Sequence, residues 1–224
     1  MTAIWNKIAE LASTIENKFK DSGEILHTGQ DLHEFNWYNS LYQSNRYRRA
    51  HVEIVDKKAQ YGIYILHSTV FPHFNDCSPI WGFDAICGAN KITGAFHDFS
   101  SGGDPEHFMM QWFSENTKNL NWTKPRELPE WARQIFSPSM IAAGNIKDLT
   151  EIDLLCSTVI KTLDYYLNFV GTSQQSFSDF HMAQNRYCHY QKLNPQVEKS
   201  MIAMGVDQHI ISKFMDKILF PETW

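Results

Sequence analysis

No two of the four cysteines stand close together. Cys77, Cys87, Cys156 and Cys188 are widely and irregularly spaced, with no C-x-x-C pair. That argues against a zinc ribbon or a protein-bound iron–sulfur cluster, and for free thiols in a reducing compartment. The 10 histidines contain no H-E-x-x-H, because His33-Glu34-Phe35-Asn36-Trp37 fails at the second His. The 11 glycines form neither a dinucleotide fingerprint nor a phosphate loop, so no nicotinamide or flavin site is announced. Positive charge is also short: 20 Lys and Arg stand against 25 Asp and Glu, a net charge of −5 with no long basic run, which leaves a nucleic-acid footprint unsupported. No apolar stretch approaches the roughly 20 residues needed to span a bilayer. The first residues, Met1-Thr2-Ala3-Ile4-Trp5-Asn6-Lys7, lack the charged and apolar regions of a signal peptide. The chain is therefore expected to stay in the cytosol, without a membrane or nucleic-acid partner. It contains no internal repeat or low-complexity tract.

What is present in quantity is apolar and aromatic. With 224 residues, 43% hydrophobic and 14% aromatic, the chain can bury a sizeable core, and one domain over residues 1 to 224 is expected. Its 7 Trp, 9 Tyr and 15 Phe either pack that core or line a pocket for a flat conjugated ligand. Residues 3 to 19 carry a helical period through Ile4, Ile8, Leu11, Ile15 and Phe19. From about 33 to 99 the period becomes that of strands. Ala50, Val52 and Ile54 fall on one face with His51 and Glu53 on the other. A second strand runs from Tyr61 to Phe71, with further strands at 83 to 87 and 91 to 99. The last two are joined by Gly88-Ala89-Asn90, which suits a hairpin. The second half reads as helices: one near 106 to 117, a long one opened by Thr150-Glu151-Ile152-Asp153 as a capping box and stopped at Gly171, and one opened by Ser176-Phe177-Ser178-Asp179 that runs to about Leu193. Two short helices follow, near 195 to 204 and 207 to 219. Strands first and helices after, with one helix at the start, imply an α/β/α sandwich: a central antiparallel sheet covered by helices on both faces.

Two titratable groups interrupt apolar runs. His67 follows Ile65-Leu66 and continues the row Ile63, Ile65, His67, Thr69, and Asp84 ends Pro79-Ile80-Trp81-Gly82-Phe83-Asp84. Burial favours the neutral forms, raising an Asp and lowering a His, and so makes acids and bases useful near neutral pH. A lone His or Asp in a strand is more often a hydrogen-bonded core residue.

Six blocks carry a family resemblance: Tyr47-Arg48-Arg49-Ala50-His51-Val52-Glu53, Ile65-Leu66-His67, Phe71-Pro72, Pro79-Ile80-Trp81-Gly82-Phe83-Asp84, Arg126-Glu127-Leu128-Pro129-Glu130-Trp131 and Tyr187-Cys188-His189-Tyr190-Gln191-Lys192-Leu193-Asn194. In this order, from about residue 45 to Ile218-Leu219-Phe220, they resemble the ferredoxin-dependent bilin reductases. Within the family, His67 and the His51/Glu53 pair look most like the phycocyanobilin-forming members and their viral, phycoerythrobilin-forming relatives. The resemblance implies an α/β/α sandwich that binds biliverdin IXα between the sheet and the C-terminal helices. It implies reduction by single electrons from a reduced 2Fe-2S ferredoxin, a radical mechanism with no bound metal or flavin, in a chain expected to act as a monomer.

Under that resemblance each electron needs a matching proton, since charge added to a buried conjugated system is costly. Asp84 is the first choice as proton donor to the bilin, with His67 as its coupled partner. Glu53 stands where phycocyanobilin-forming members place a glutamate that serves reduction of the D-ring vinyl group, and His51 belongs to a water network beside it. Arg126 is placed to grip a propionate. Asn194 either hydrogen-bonds a pyrrole or lactam edge or caps a helix C-terminus, and Trp131 packs. One position departs from the family: where an aspartate usually follows Asn194, this chain has Pro195, which has no proton to give. The implied product is a four-electron phycobilin, phycoerythrobilin through 15,16-dihydrobiliverdin, with phycocyanobilin as the alternative. A reading of another class is a bilin-binding carrier or photoreceptor module without turnover. Ferredoxins are acidic, so Arg46, Arg48, Arg49, Lys192, Lys199 and Lys213 are candidates for a docking patch.

Overall fold

A computed structural model describes residues 2 to 27 and 30 to 223. The chain opens with α1 (Ala3–Ser22), whose cap Thr2 accepts from the Trp5 N–H, and then enters β1 (Glu24–His27). A 3-10 turn (Gln30–Phe35) leads into β2 (Trp37–Gln43), β3 (Tyr47–Lys57), the single turn α2 (Lys58–Tyr61), β4 (Ile63–Pro72), β5 (Ile80–Cys87) and β6 (Ile92–Ser100). Next come α3 (Phe108–Thr117), the single turn α4 (Glu130–Arg133) and the three-residue β7 (Ile141–Ala143). The C-terminal part is α5 (Leu149–Phe169), α6 (His181–Lys192), α7 (Pro195–Ala203), α8 (Gln208–Phe214) and a π-turn (Met215–Leu219).

All seven strands form one antiparallel meander in chain order, β1 to β7. Strand alternation splits the side chains between two cores. On one face Tyr42, Val52, Leu66, Trp81, Phe83, Ala85 and Phe99 pack against Ile8, Leu11 and Ile15 of α1, Phe113 of α3 and Leu155, Val159 and Leu163 of α5. On the other face Trp37, Val55, Phe71 and Ile80 meet Tyr187 and Cys188 of α6, Met201 of α7, Phe214 of α8 and then Met215, Leu219 and Phe220. The expected sandwich with helices on both sides of an antiparallel sheet is therefore present.

Several boundaries differ from the expectation, each for a local reason. The cap of α5 is Asp148, whose Oδ1 accepts from the Thr150 N–H at 2.9 Å; the Glu151 carboxylate instead accepts from the Thr123 N–H and hydroxyl, so no capping box forms. Helix α6 begins at His181, two residues after Asp179, whose Oδ1 accepts from the His181 N–H at 2.9 Å. Asn194 does not end α6: it is the N-cap of α7, accepting from the Gln196 N–H at 3.1 Å, with Pro195 at the first helical position where its missing N–H costs nothing. The Gly88 N–H donates to Lys91 O at 2.9 Å and closes the expected β5–β6 hairpin.

Candidate active site

The register builds a row of side chains straight across the sheet. Asn39 of β2 faces Glu53 of β3, Glu53 faces His67 of β4, His67 faces Asp84 of β5, and Asp84 faces Phe96 of β6. Opposed residues in an antiparallel pair have Cβ atoms roughly 5 Å apart, so cross-strand neighbours on this face interact directly. Three titratable groups stand side by side on three strands, although the sequence separates them by 14 and 17 positions.

The helical layer covers this face unevenly. Over β2 and β3, Asn39, His51 and Glu53 are buried. On β5 the rear residues Trp81, Phe83, Ala85 and Cys87 are buried, while Gly82, Asp84 and Ile86 on the site face are half-buried, as are Ile65, His67 and Phe96 beside them. An apolar strip of sheet with one carboxyl and one imidazole is thus left half-exposed beside the C-terminal segment. Phe220 packs edge-on to His67 with ring centroids 5.9 Å apart, and Phe214 does the same to Trp37 at 5.8 Å.

Each polar group has a defined environment. Glu53 Oε1 accepts from Trp37 Nε1 at 2.5 Å, and its Oε2 lies 3.4 Å from His67 Nδ1. That is an ion-pair distance without hydrogen-bond alignment, so the buried nitrogen keeps no directed partner among the described residues. Burial pulls the His67 imidazole down, but the adjacent Glu53 carboxylate together with the charge of Asp84 outweighs it, and the net shift is upward. His51 Nε2 donates to Asn39 Oδ1 at 2.9 Å, leaving Nδ1 as a buried lone pair without a donor among the described residues. Burial first, then the charges of Arg49 and His67, hold it well below an ordinary histidine. Asp84 accepts no hydrogen bond among the described residues. Burial raises it to about 6, with Glu53 adding to the rise and His67 opposing it.

A second acid on the same face sharpens the contrast. Asp98 of β6 is buried, yet its carboxylate accepts from the Ser137 N–H at 2.8 Å, from the Ser137 hydroxyl and from the Ser100 hydroxyl at 2.7 Å. It fastens a loop. Asp84 has no such ties among the described residues.

Arg126 lies at the outer edge. Its guanidinium is 5.6 Å from the Phe96 ring centroid, at the end of the row, and Nη1 donates to Thr93 O at 3.5 Å. Two glycines make its bed: a Cβ on Gly94 would come within 2.7 Å of Arg126 Nη1, and one on Gly144 within 2.8 Å of its Cδ. Beyond it opens a cavity of about 470 Å³ lined by Arg126, Arg133, Phe136, Met140 and Ala142 among others.

Of the residues expected from the sequence, Asp84, His67, Glu53 and His51 are brought together and Arg126 closes one edge. Asn194 is half-buried in the helical layer, its side chain engaged in capping α7. Trp131 packs on Phe136 with centroids 6.3 Å apart. Sequence reasoning missed Trp37 and Asn39, which hold Glu53 and His51, as well as Thr69, whose hydroxyl is buried without a partner opposite His51. The signal for the first two was the Trp37, Asn39, Leu41 alternation of β2. Two docking candidates are corrected: Arg48 and Arg49 turn inward, each with a buried guanidinium nitrogen, so neither is an ordinary solvated cation. Lys192 is bridged to Asp216 at 2.8 Å and Glu222 at 2.9 Å.

A family model described as ferredoxin-dependent bilin reductase matches residues 3–221. The chain belongs to the ferredoxin-dependent bilin reductase family, whose members are oxidoreductases that take their electrons from ferredoxin. It is 26% identical over 194 residues to the phycocyanobilin:ferredoxin oxidoreductase of Prochlorococcus marinus (strain MIT 9313), covering 82% of this chain and 70% of that one. It is also 26% identical over 224 residues to the enzyme of that name from Synechococcus sp. (strain CC9902), covering 96% and 87%. Among solved structures, the fold is similar to that of PcyX (TM-score 0.70, 21% identity, 97% of this chain and 99% of that one). It is likewise similar to tomato phytochromobilin synthase in complex with biliverdin (TM-score 0.67, 14% identity, 96% and 82%). Among the described residues no helix is long and apolar enough to cross a membrane, and no group of three His, Cys, Asp or Glu is placed to hold a metal ion.

Proposed function

We propose that this protein reduces biliverdin IXα to a four-electron phycobilin, taking single electrons from a reduced 2Fe-2S ferredoxin and matching each with a proton. The observation that carries the reading is the Glu53–His67–Asp84 row on a half-exposed apolar strip of the sheet, with Asp84 raised to about 6. A conjugated tetrapyrrole offers flat apolar area to Ile65, Ile86 and Phe96, and carboxylates that suit the Arg126 fork. Once an electron arrives, the anionic pigment in a low-dielectric site draws a proton from the nearest carboxyl. Asp84 donates its O–H proton, and His67, next to Glu53, replaces it. His51 and its unpartnered Nδ1 face the same network. The similarly folded tomato phytochromobilin synthase was solved in complex with biliverdin, and the two curated relatives above are phycocyanobilin:ferredoxin oxidoreductases.

The product proposed is phycoerythrobilin through 15,16-dihydrobiliverdin. Phycocyanobilin is the competing outcome, favoured by Glu53 being buried and held by Trp37. Asn194, committed to its cap, is proposed to reach a pyrrole or lactam only if the start of α7 reorganises. Anaerobic incubation with biliverdin and reduced ferredoxin, followed by chromatography, tests the reading. Consumption of biliverdin with phycoerythrobilin formed is expected; unchanged, bound biliverdin would identify a carrier instead.

A further inference from the structure

The β3–β4 register slips between Tyr47, which faces Pro72, and Arg49, which faces Phe71. Arg48 is the extra residue of a bulge, a device that re-aims side chains and is common beside active sites. Arg48 lies 4.9 Å from the Phe71 ring centroid and 4.5 Å from that of Phe74, and its Nε donates to Gln184 Oε1 of α6 at 2.6 Å. Arg49 Nη2 donates to the Ile218 carbonyl of the π-turn. Neither guanidinium has a carboxylate partner among the described residues, and Arg48 Nη2 and Arg49 Nε are buried without acceptors. Burial pulls each down to about 10, so both stay charged at neutral pH.

Beyond the bulge the strand alternates regularly, which sets Arg49, His51 and Glu53 on one face, successive residues roughly 7 Å apart. The face therefore runs from a cation through an imidazole to a carboxylate. One strand over, His67 faces Glu53 and has Asp84 on its other side. The His51 and His67 rings are 5.9 Å apart, close enough that charge on one opposes charge on the other. Among the described residues the charges that reach His51 are Arg49 and His67, and the polar groups beside it are Asn39 of β2 and Thr69 and His67 of β4. Those that reach His67 are Glu53, Asp84 and, more weakly, Arg49, with Phe220 covering it from the C-terminal segment.

We propose that Arg49 is a positioning residue for proton delivery: its fixed charge, added to burial, keeps His51 neutral and leaves His67, between Glu53 and Asp84, as the imidazole that carries the transferable proton. Use of that proton on a bilin rests on the function proposed above. The ordering of charge does not, and can be read in bilin-free protein.

The test is an NMR titration of the two imidazoles in wild type, Arg49→Met and Arg49→Lys. In wild type His51 is expected to remain in its Nε2–H neutral form across about pH 5 to 8 while His67 titrates. In Arg49→Met the charged fraction of His51 relative to neutral is expected to rise about tenfold at fixed pH, and Arg49→Lys is expected to restore the wild-type order. A folded Arg49→Met protein whose His51 is unchanged would overturn the proposal. So would a wild type, or an Arg49→Lys variant if the Met variant fails to fold, in which His51 gains its proton before His67. If the ordering holds but wild type leaves biliverdin unreduced, the functional reading fails and the role of Arg49 in charge ordering stands.

Discussion

Asp84 is kept where a carboxylate is least comfortable, and the cost has a sign that can be measured. Its folded-state value, raised by burial to about 6 from the ordinary 3.8, means that the folded protein holds this proton more tightly than the unfolded chain. The stabilising contribution is complete below about pH 4 and is lost as pH rises through about 6. His67, pulled down by burial but raised overall by Glu53 and Asp84, contributes with the same sign, present below its unfolded 6.5 and lost above its folded value. His51 works the other way: its depressed value favours the fold above pH 6.5 and costs stability as pH falls below it. Asp84→Asn should therefore stabilise the protein at pH 8 by about 1 to 3 kcal/mol, a few degrees in melting temperature, with little gain at pH 4. Thermal melts at the two pH values check this; an Asn variant less stable at pH 8 would show that the Asp84 charge is already compensated. Asp98, buried and tied by Ser137 and Ser100, is expected to lose stability on the same change.

At the scale of elements, alternation was the legible part of the sequence. It correctly placed His51 and Glu53 on one face of β3 and His67 on the matching face of β4, and that alone brings the site together once the strands pair. It also separates the histidines of the candidate site from one in the opposite core. His97 of β6 lies on the opposite face, donating from Nδ1 to Gly82 O at 2.7 Å among Trp81, Phe99 and Phe113, and burial lowers it to about 4. What escaped reading were features set by partners distant in the chain. Strand β7 is three residues held by β6, β2 mixes aromatic and polar residues, and the inward turn of Arg48 and Arg49 follows from a register slip. The α5 cap escaped for a smaller reason, since Asp148 and Thr150 are both good caps two residues apart. The Arg126 bed yields an element-scale prediction. Gly94→Ala on β6 puts a methyl 2.7 Å from Nη1 and displaces the guanidinium from Phe96. KM for biliverdin should rise about tenfold, the loss of one charge-assisted contact, with kcat nearly unchanged. An unaltered KM would remove Arg126 from substrate binding.

For the whole molecule, the division into two cores explains how one sheet serves two purposes. The α1, α3 and α5 side holds the larger cluster and packs the rear of β4, β5 and β6. The α6 to π-turn side is smaller, leaves the β5 face half-open, and reaches the sheet through Arg48–Gln184, Arg49–Ile218 and Phe220 on His67. A net charge of −5 with Arg48 and Arg49 turned inward leaves any positive docking surface to the remaining cations, among them Arg46, which donates to Leu167 O at 2.9 Å and Asn168 O at 2.7 Å, and Lys199. The central claim is that the row across β3, β4 and β5 delivers protons to a bilin reduced by ferredoxin. The most direct measurement follows bilin absorbance anaerobically in wild type and Asp84→Asn after mixing with reduced ferredoxin. Both are expected to bind biliverdin with similar affinity, wild type to proceed to a phycobilin, and the Asn variant to slow by about 10²-fold or more or to stall. Wild-type rates in Asp84→Asn would contradict that claim.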